Sequence, residues 1–146
     1  MTQAILLVED DENDLLVMKM ALEKVGLTCP IRVARDGREA QDYLSGSGIF
    51  ADRHEYPLPY LILLDLKLPR VMGLEVLKWI RERPEFDFTI VLILSSSSMP
   101  EDIQGAYRLR ANGYLVKPYT LERLELMTQA IKEFWFVHNQ PTVAFR

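Results

Sequence analysis

One cysteine, Cys29, stands in a chain of 146 residues. No intramolecular disulfide can form, and Cys29 reads as a small apolar residue in a chain that works in a reducing compartment. Histidine is nearly as scarce. His54 and His138 have no cysteine or second histidine nearby, so both read as solvated side chains and not as metal ligands. Lysine and arginine never cluster, and the formal net charge is -4. Without a basic cluster to displace phosphate counterions, the chain has no footprint for DNA or RNA. No apolar run is long enough to cross a bilayer. The stretch from Met1 to Val8 lacks a positive start and turns acidic after five apolar residues, which excludes a signal peptide as well as a membrane span. Internal repeats, heptads, low-complexity tracts and long linkers are also missing. A single compact cytoplasmic domain is expected, with a hydrophobic fraction of 49% that suffices for a real core.

What is present is a series of short apolar runs, each followed by a helical pattern. Tyr60 to Leu64 (YLILL) is too short for a lone helix and reads as a strand buried on both faces, as do Ala4 to Val8 (AILLV) and Ile90 to Leu94 (IVLIL). Ile31 to Ala34 and Tyr114 to Val116 are shorter strands. Helices are expected from Asp11 or Asn13 to about Val25, from about Arg38 to Leu44, over Gly73 to Arg83, from Pro100 to about Arg110 with Ser98 as its cap, and from Thr120 onward. The last has a core face of Leu121, Leu124, Met127 or Thr128, Ile131 and Trp135. Ser45 to Pro59 reads as a long surface loop, and Trp79 as packing. The order is (βα)5. The right-handed crossover rule folds it into an α/β parallel sheet with helices on both faces; in the doubly wound, flavodoxin-like arrangement expected here, strand order 2-1-3-4-5, the first and third strands flank the switch point.

Ligands bind at the carboxyl ends of such strands. Glu9 and Asp10 follow the first strand, Asp65 the third, Ser95 the fourth and Lys117 the fifth. Three close carboxylates call for a cation, and hard oxygen donors with room for water favour Mg2+. Asp65 is central enough to be ligand and nucleophile together. A phosphoryl group on it has three anionic oxygens, which the metal, the Lys117 ammonium and the Ser95 hydroxyl can share.

On these residues the chain resembles a response regulator receiver domain, from Ala4 to about Val137. The resemblance is carried by VEDD at 8 to 11, LLDLKLP at 63 to 69, Gly73, the serines at 95 and 96, and GYLVKPYT at 113 to 120. It implies that Asp65 is the phospho-acceptor, Asp10 a direct magnesium ligand, Glu9 an outer acidic partner and the Lys67 backbone carbonyl a further ligand. It also implies Ser95 as the switch hydroxyl, Tyr114 as the turning aromatic, Lys117 as the phosphate clamp and a cis Lys117-Pro118 peptide. The donor is then a sensor histidine kinase. The loop at 45 to 59 and FWF at 134 to 136 are similar to stand-alone regulators paired with bacterial phytochrome kinases. Residues 1–138 are expected to form the receiver domain and 139–146 a tail.

Two rival readings compete. A phosphohydrolase of the haloacid-dehalogenase class also presents a nucleophilic Asp after a parallel strand, but needs a second acid two residues on, where this chain has Lys67. A degenerate receiver would bind partners without phosphorylation, yet no required residue is missing. Leu126, Ala130, Phe134 and Val137, with Phe136, form a second apolar stripe on the last helix, and Val143 and Phe145 follow in the tail. Something should cover such a stripe: a two-fold homodimer with clasped tails is expected, the alternative being that the tail folds back on its own chain.

Overall fold

Five strands, β1 (Ala4–Val8), β2 (Ile31–Ala34), β3 (Pro59–Leu64), β4 (Ile90–Ser95) and β5 (Gly113–Val116), alternate with five helices in the computed structural model. The helices are α1 (Glu12–Lys24), α2 (Gly37–Ser45), α3 (Gly73–Arg81), α4 (Pro100–Arg108) and α5 (Leu121–Ile131). The structure describes residues 3–145; Met1, Thr2 and Arg146, which fall within the domain and tail ranges read above, lie outside the described residues. All strand pairs are parallel, in the order β2-β1-β3-β4-β5 that the sequence implies. β1, β3 and β4 are buried along their whole length, which is why they read as unbroken apolar runs.

The pleat divides these runs between two cores. Leu6, Val8, Ile62, Leu64, Val91 and Ile93 pack with Leu44, Val76, Ile80 and Ala106, the side of α2, α3 and α4. Ile5, Leu7, Leu61, Leu63, Leu92 and Leu94 pack with Leu15, Met18, Leu22, Leu124 and Ile131, the side of α1 and α5. Helix starts are set by side-chain caps. The Asp11 carboxylate accepts the Asp14 N–H at 2.9 Å, Asp36 accepts from Glu39 at 2.7 Å and Thr120 from Arg123 at 3.2 Å. Asp36 is thus a cap and not merely a turn, so α2 begins one residue earlier than expected.

Several sequence expectations need correction. Ser98 does not cap α4: Met99 holds the cap position and donates its N–H to the Ser97 hydroxyl at 3.2 Å. Leu121, the first residue of α5, is 65% exposed, so the core stripe starts at Leu124. The 45–59 segment is folded. It contains a 3-10 turn (Gly48–Ala51), and Phe50 and Tyr56 pack on Tyr43 with ring centroids 5.2 and 5.9 Å away. The Arg53 guanidinium donates to the Tyr43 and Leu44 carbonyls at 2.7 and 2.8 Å, closing the end of α2. No cis peptide occurs among the described residues, so Lys117-Pro118 is trans. Both isomers of an X–Pro bond lie close in energy, and Lys117 still donates its N–H to Ser95 across the β4–β5 ladder at 2.8 Å.

The chain end also departs from expectation. After Ile131 the helix widens into a π-helix over Lys132–His138. The Tyr60 hydroxyl donates to the Trp135 carbonyl at 2.7 Å and accepts from Asn139 Nδ2 at 2.9 Å. Phe136 and Phe145 place their rings 5.3 and 5.4 Å from Tyr60, and Gln3 Nε2 donates to the Phe145 carbonyl at 3.0 Å. The tail therefore folds onto its own chain. Phe145 is buried and Phe136 partly so, which removes both from the exposed stripe, because Tyr60 offers them an aromatic seat within the molecule. Leu126, Ala130, Phe134, Val137 and Val143 remain exposed.

Candidate functional site

The pleat explains how the site is assembled. Glu9, Asp65 and Lys117 each come two residues after a side chain that packs on the α1/α5 side (Leu7, Leu63 and Leu115). Ser95 continues the opposite row, Val91 and Ile93, and Tyr114 stands in register with Ile93. Carboxylates and ammonium thus share one face of the sheet rim, whereas Ser95 and Tyr114 share the other.

Carboxylate oxygens of Glu9, Asp10 and Asp65 lie within 4.8 Å of one another. Glu9 and Asp65 are buried and Asp10 is exposed. Lys117 Nζ donates to Asp65 Oδ2 at 3.1 Å, to Asp14 Oδ2 at 3.1 Å and to Glu9 Oε1. The second Glu9 oxygen accepts the N–H groups of Asp10 and Asp11 at 3.0 and 3.2 Å. Asp65 Oδ1 accepts the Lys67 N–H at 3.2 Å. Ser95 is fully buried, its Oγ accepting the Ser97 N–H at 3.2 Å, and the Tyr114 hydroxyl donates to the Ser97 carbonyl at 2.8 Å. Gly73 lets α3 start against the site: a Cβ there would stand 2.2 Å from the Asp65 carbonyl oxygen, so no side chain fits.

Burial pushes the Glu9 carboxyl up to about 7, and the Asp65 charge adds to that against the downward pull of the Lys117 hydrogen bond. Burial works against the Lys117 charge too, but its bonds to Glu9 and Asp65 leave it above the ordinary lysine value. One ammonium thus bonds three carboxylates, Glu9, Asp14 and Asp65, with Asp10 beside them, and the cluster is short of positive charge. An all-oxygen donor set, buried at Glu9 and Asp65 and open to solvent at Asp10, fits a hard divalent cation that keeps some of its water. Glu9, Asp14, Asp65 and Lys117 also line a cavity of about 230 Å³ at α1 and the start of α5, whose apolar wall is Leu7, Leu15, Met18, Leu63, Leu94 and Leu124.

Two contributors escaped the sequence reading. Asp14 looks like a helix-dipole acid, but one turn after Asp10 it can reach back over the rim to Lys117. Asp102 in the first turn of α4 accepts a hydrogen bond from the Ser97 hydroxyl in the loop just before that helix, at 2.5 Å.

The response regulator receiver domain family matches residues 5–129. Response regulator Rcp1 of Synechocystis is 35% identical over 91% of this chain and 88% of its own length. A probable methanogenesis regulatory protein, FilR2 of Methanothrix harundinacea, is 37% identical over 93% of this chain and 85% of its own. The phosphorylated cyanobacterial phytochrome response regulator RcpA superposes with a TM-score of 0.89 at 35% identity, covering 97% of this chain and 99% of that one. A Mn2+-bound form of Rcp1 superposes at 0.86. Fold, rim and relatives agree, and the chain belongs to the response regulator receiver domain family, as a homologue of the phytochrome response regulators.

Proposed function

We propose that Asp65 accepts a phosphoryl group from a sensor histidine kinase in a Mg2+-dependent reaction. The observation that carries this reading is Asp65 itself: a buried carboxylate with one oxygen 3.1 Å from an ammonium, inside a three-carboxylate cluster. An Asp65 oxygen attacks phosphorus, the bond to the donor nitrogen breaks, and Lys117 follows the negative charge from Oδ2 to a phosphoryl oxygen. Ser95 supplies a hydroxyl to another oxygen. Asp10 and Asp65 would hold Mg2+, with Glu9 and the Lys67 carbonyl adjoining, and the ion would neutralise charge on the phosphoryl oxygens.

No chemistry beyond phosphorylation and dephosphorylation of Asp65 is assigned, and the signal leaves through protein contacts in the cytoplasm. Similarity to the cyanobacterial phytochrome response regulator RcpA supports a bacterial phytochrome as the kinase. Leu126, Ala130, Phe134 and Val137 support a homodimer through the exposed face of α5 and its extension. The hydrolase alternative lacks an acid at Lys67, and the degenerate alternative lacks a missing group.

Acetyl phosphate with Mg2+, read by intact mass, tests the assignment. The wild type gains one phosphoryl group and Asp65→Asn gains none; equal incorporation in the two would overturn it. Turnover of a phosphoester would favour the hydrolase, and no incorporation at all the degenerate receiver.

A further inference from the structure

Protein interiors leave few voids larger than a water molecule, yet a cavity of about 230 Å³ stands beside Asp65. Its wall is apolar. Leu7 comes from β1, Leu63 from β3, Leu94 from β4, Leu15 and Met18 from α1 and Leu124 from α5, so strands and helices alike turn to it side chains that seek no hydrogen bond. Lining atoms with nothing opposite them forfeit their dispersion contacts, and an apolar body placed there restores them. An engineered apolar cavity of about 150 Å³ accepts benzene. The space beside Asp65 therefore admits a six-membered ring with a short arm.

The polar side of the cavity selects the charge of that arm. Glu9, Asn13, Asp14, Asp65 and Lys117 line it. An ammonium has three donors, and Lys117 directs its own at the carboxylates of Glu9, Asp14 and Asp65. An anion would meet three carboxylates and no free ammonium donor. A cation meets acceptors. The half-exposed Asp14 carboxylate accepts only from Lys117 among the described residues, and the exposed Asn13 beside it makes no side-chain hydrogen bond among them. Both stand outside the group of Glu9, Asp10 and Asp65 whose oxygens converge as for a metal ion. We propose that this cavity is a binding site for a small amphipathic cation, a primary amine on a compact apolar body. The body lies among the leucines, and the ammonium lies on Asp14.

The full chain, labelled with 13C in its leucine methyl groups, reports on the cavity by NMR, the Leu94 signals being assigned by their loss in Leu94→Met. Phenethylamine should shift them saturably, with half-saturation on the order of 1 mM for a ligand of this size. Phenethyl alcohol keeps the body and methylamine keeps the charge, and each should bind about tenfold more weakly or worse. Asp14→Asn should weaken the amine to the level of the alcohol while leaving the alcohol unchanged, a pattern that general damage to the fold would not produce. Leu124→Phe fills the cavity and should abolish the response to both. A wild type without a saturable shift overturns the site, and methylamine binding as well as phenethylamine would reduce it to an acidic cluster. Equal binding of alcohol and amine, or an amine indifferent to Asp14→Asn, overturns the seat on Asp14. Wild-type binding by a folded Leu124→Phe overturns the cavity as the place. Neither Mg2+ nor a phosphoryl donor enters the titration, so its failure leaves the Asp65 reading standing.

Discussion

Replacing Phe145 with alanine asks whether the tail belongs to its own chain's core. Phe145 is 7% exposed, and burying a phenylalanine contributes about 1.5–3 kcal/mol. Its ring lies 5.4 Å from that of Tyr60, a pair that adds about 0.5–1.5 kcal/mol. The loss is partly offset, because a terminal segment without its anchor frays and recovers roughly 1–2 kcal/mol of conformational entropy for each residue released. The net expectation is a destabilisation of about 2 kcal/mol. With a urea m-value of about 2 kcal/mol/M, the unfolding midpoint falls by about 1 M. Val143→Ala is the control: Val143 is 80% exposed, and its truncation should stay within about 0.5 kcal/mol. Unfolding followed by circular dichroism at two protein concentrations tenfold apart completes the assay. If the tail docks in its own molecule, the Phe145→Ala loss is the same at both. A loss that appears only at the higher concentration, by mass action, would mean that Phe145 sits on a neighbour and would refute the intramolecular seat.

Lys67 is exposed two residues beyond Asp65, where an ammonium can hold a phosphoryl oxygen and crowd attacking water. Phospho-Asp65 in Lys67→Ala should decay on the order of tenfold faster, about 1.4 kcal/mol of barrier; equal decay followed by intact mass would remove Lys67 from this role. Glu9 gives a pH dependence. Burial first, and the Asp65 charge after it, raise its carboxyl from 4.5 to about 7 in the folded chain, so its contribution to stability is complete below 4.5 and lost as pH rises through 7. With chelator present, the wild-type melting temperature should therefore fall between pH 5 and 8 by a component that Glu9→Gln lacks. Superimposable profiles for the two proteins would contradict the shift.

The sequence by itself determined the sheet. β1, β3 and β4 are short, unbroken apolar runs that read as strands buried on both faces, and their alternation with capped helices gives, by the handedness rule, a parallel sheet covered on both sides, of which the flavodoxin-like order 2-1-3-4-5 is one doubly wound form. It also determined which residues stand at the strand ends, because a strand end is a position along the chain. What it could not supply were contacts between elements that no local rule connects. Asp14 and Asp102 look like ordinary first-turn acids, and only packing turns one toward Lys117 and the other toward Ser97. The pleat gave Glu9, Asp65 and Lys117 one face and Ser95 and Tyr114 the other, but which helices cover each face follows from the folded layers. The tail shows the limit most plainly. Pro141 to Phe145 reads as an extended arm from its residues alone, equally able to clasp a neighbour or fold back. The Tyr60 ring, more than seventy positions earlier, decides between them by offering Phe136 and Phe145 an apolar seat that exists only once β3 is in place.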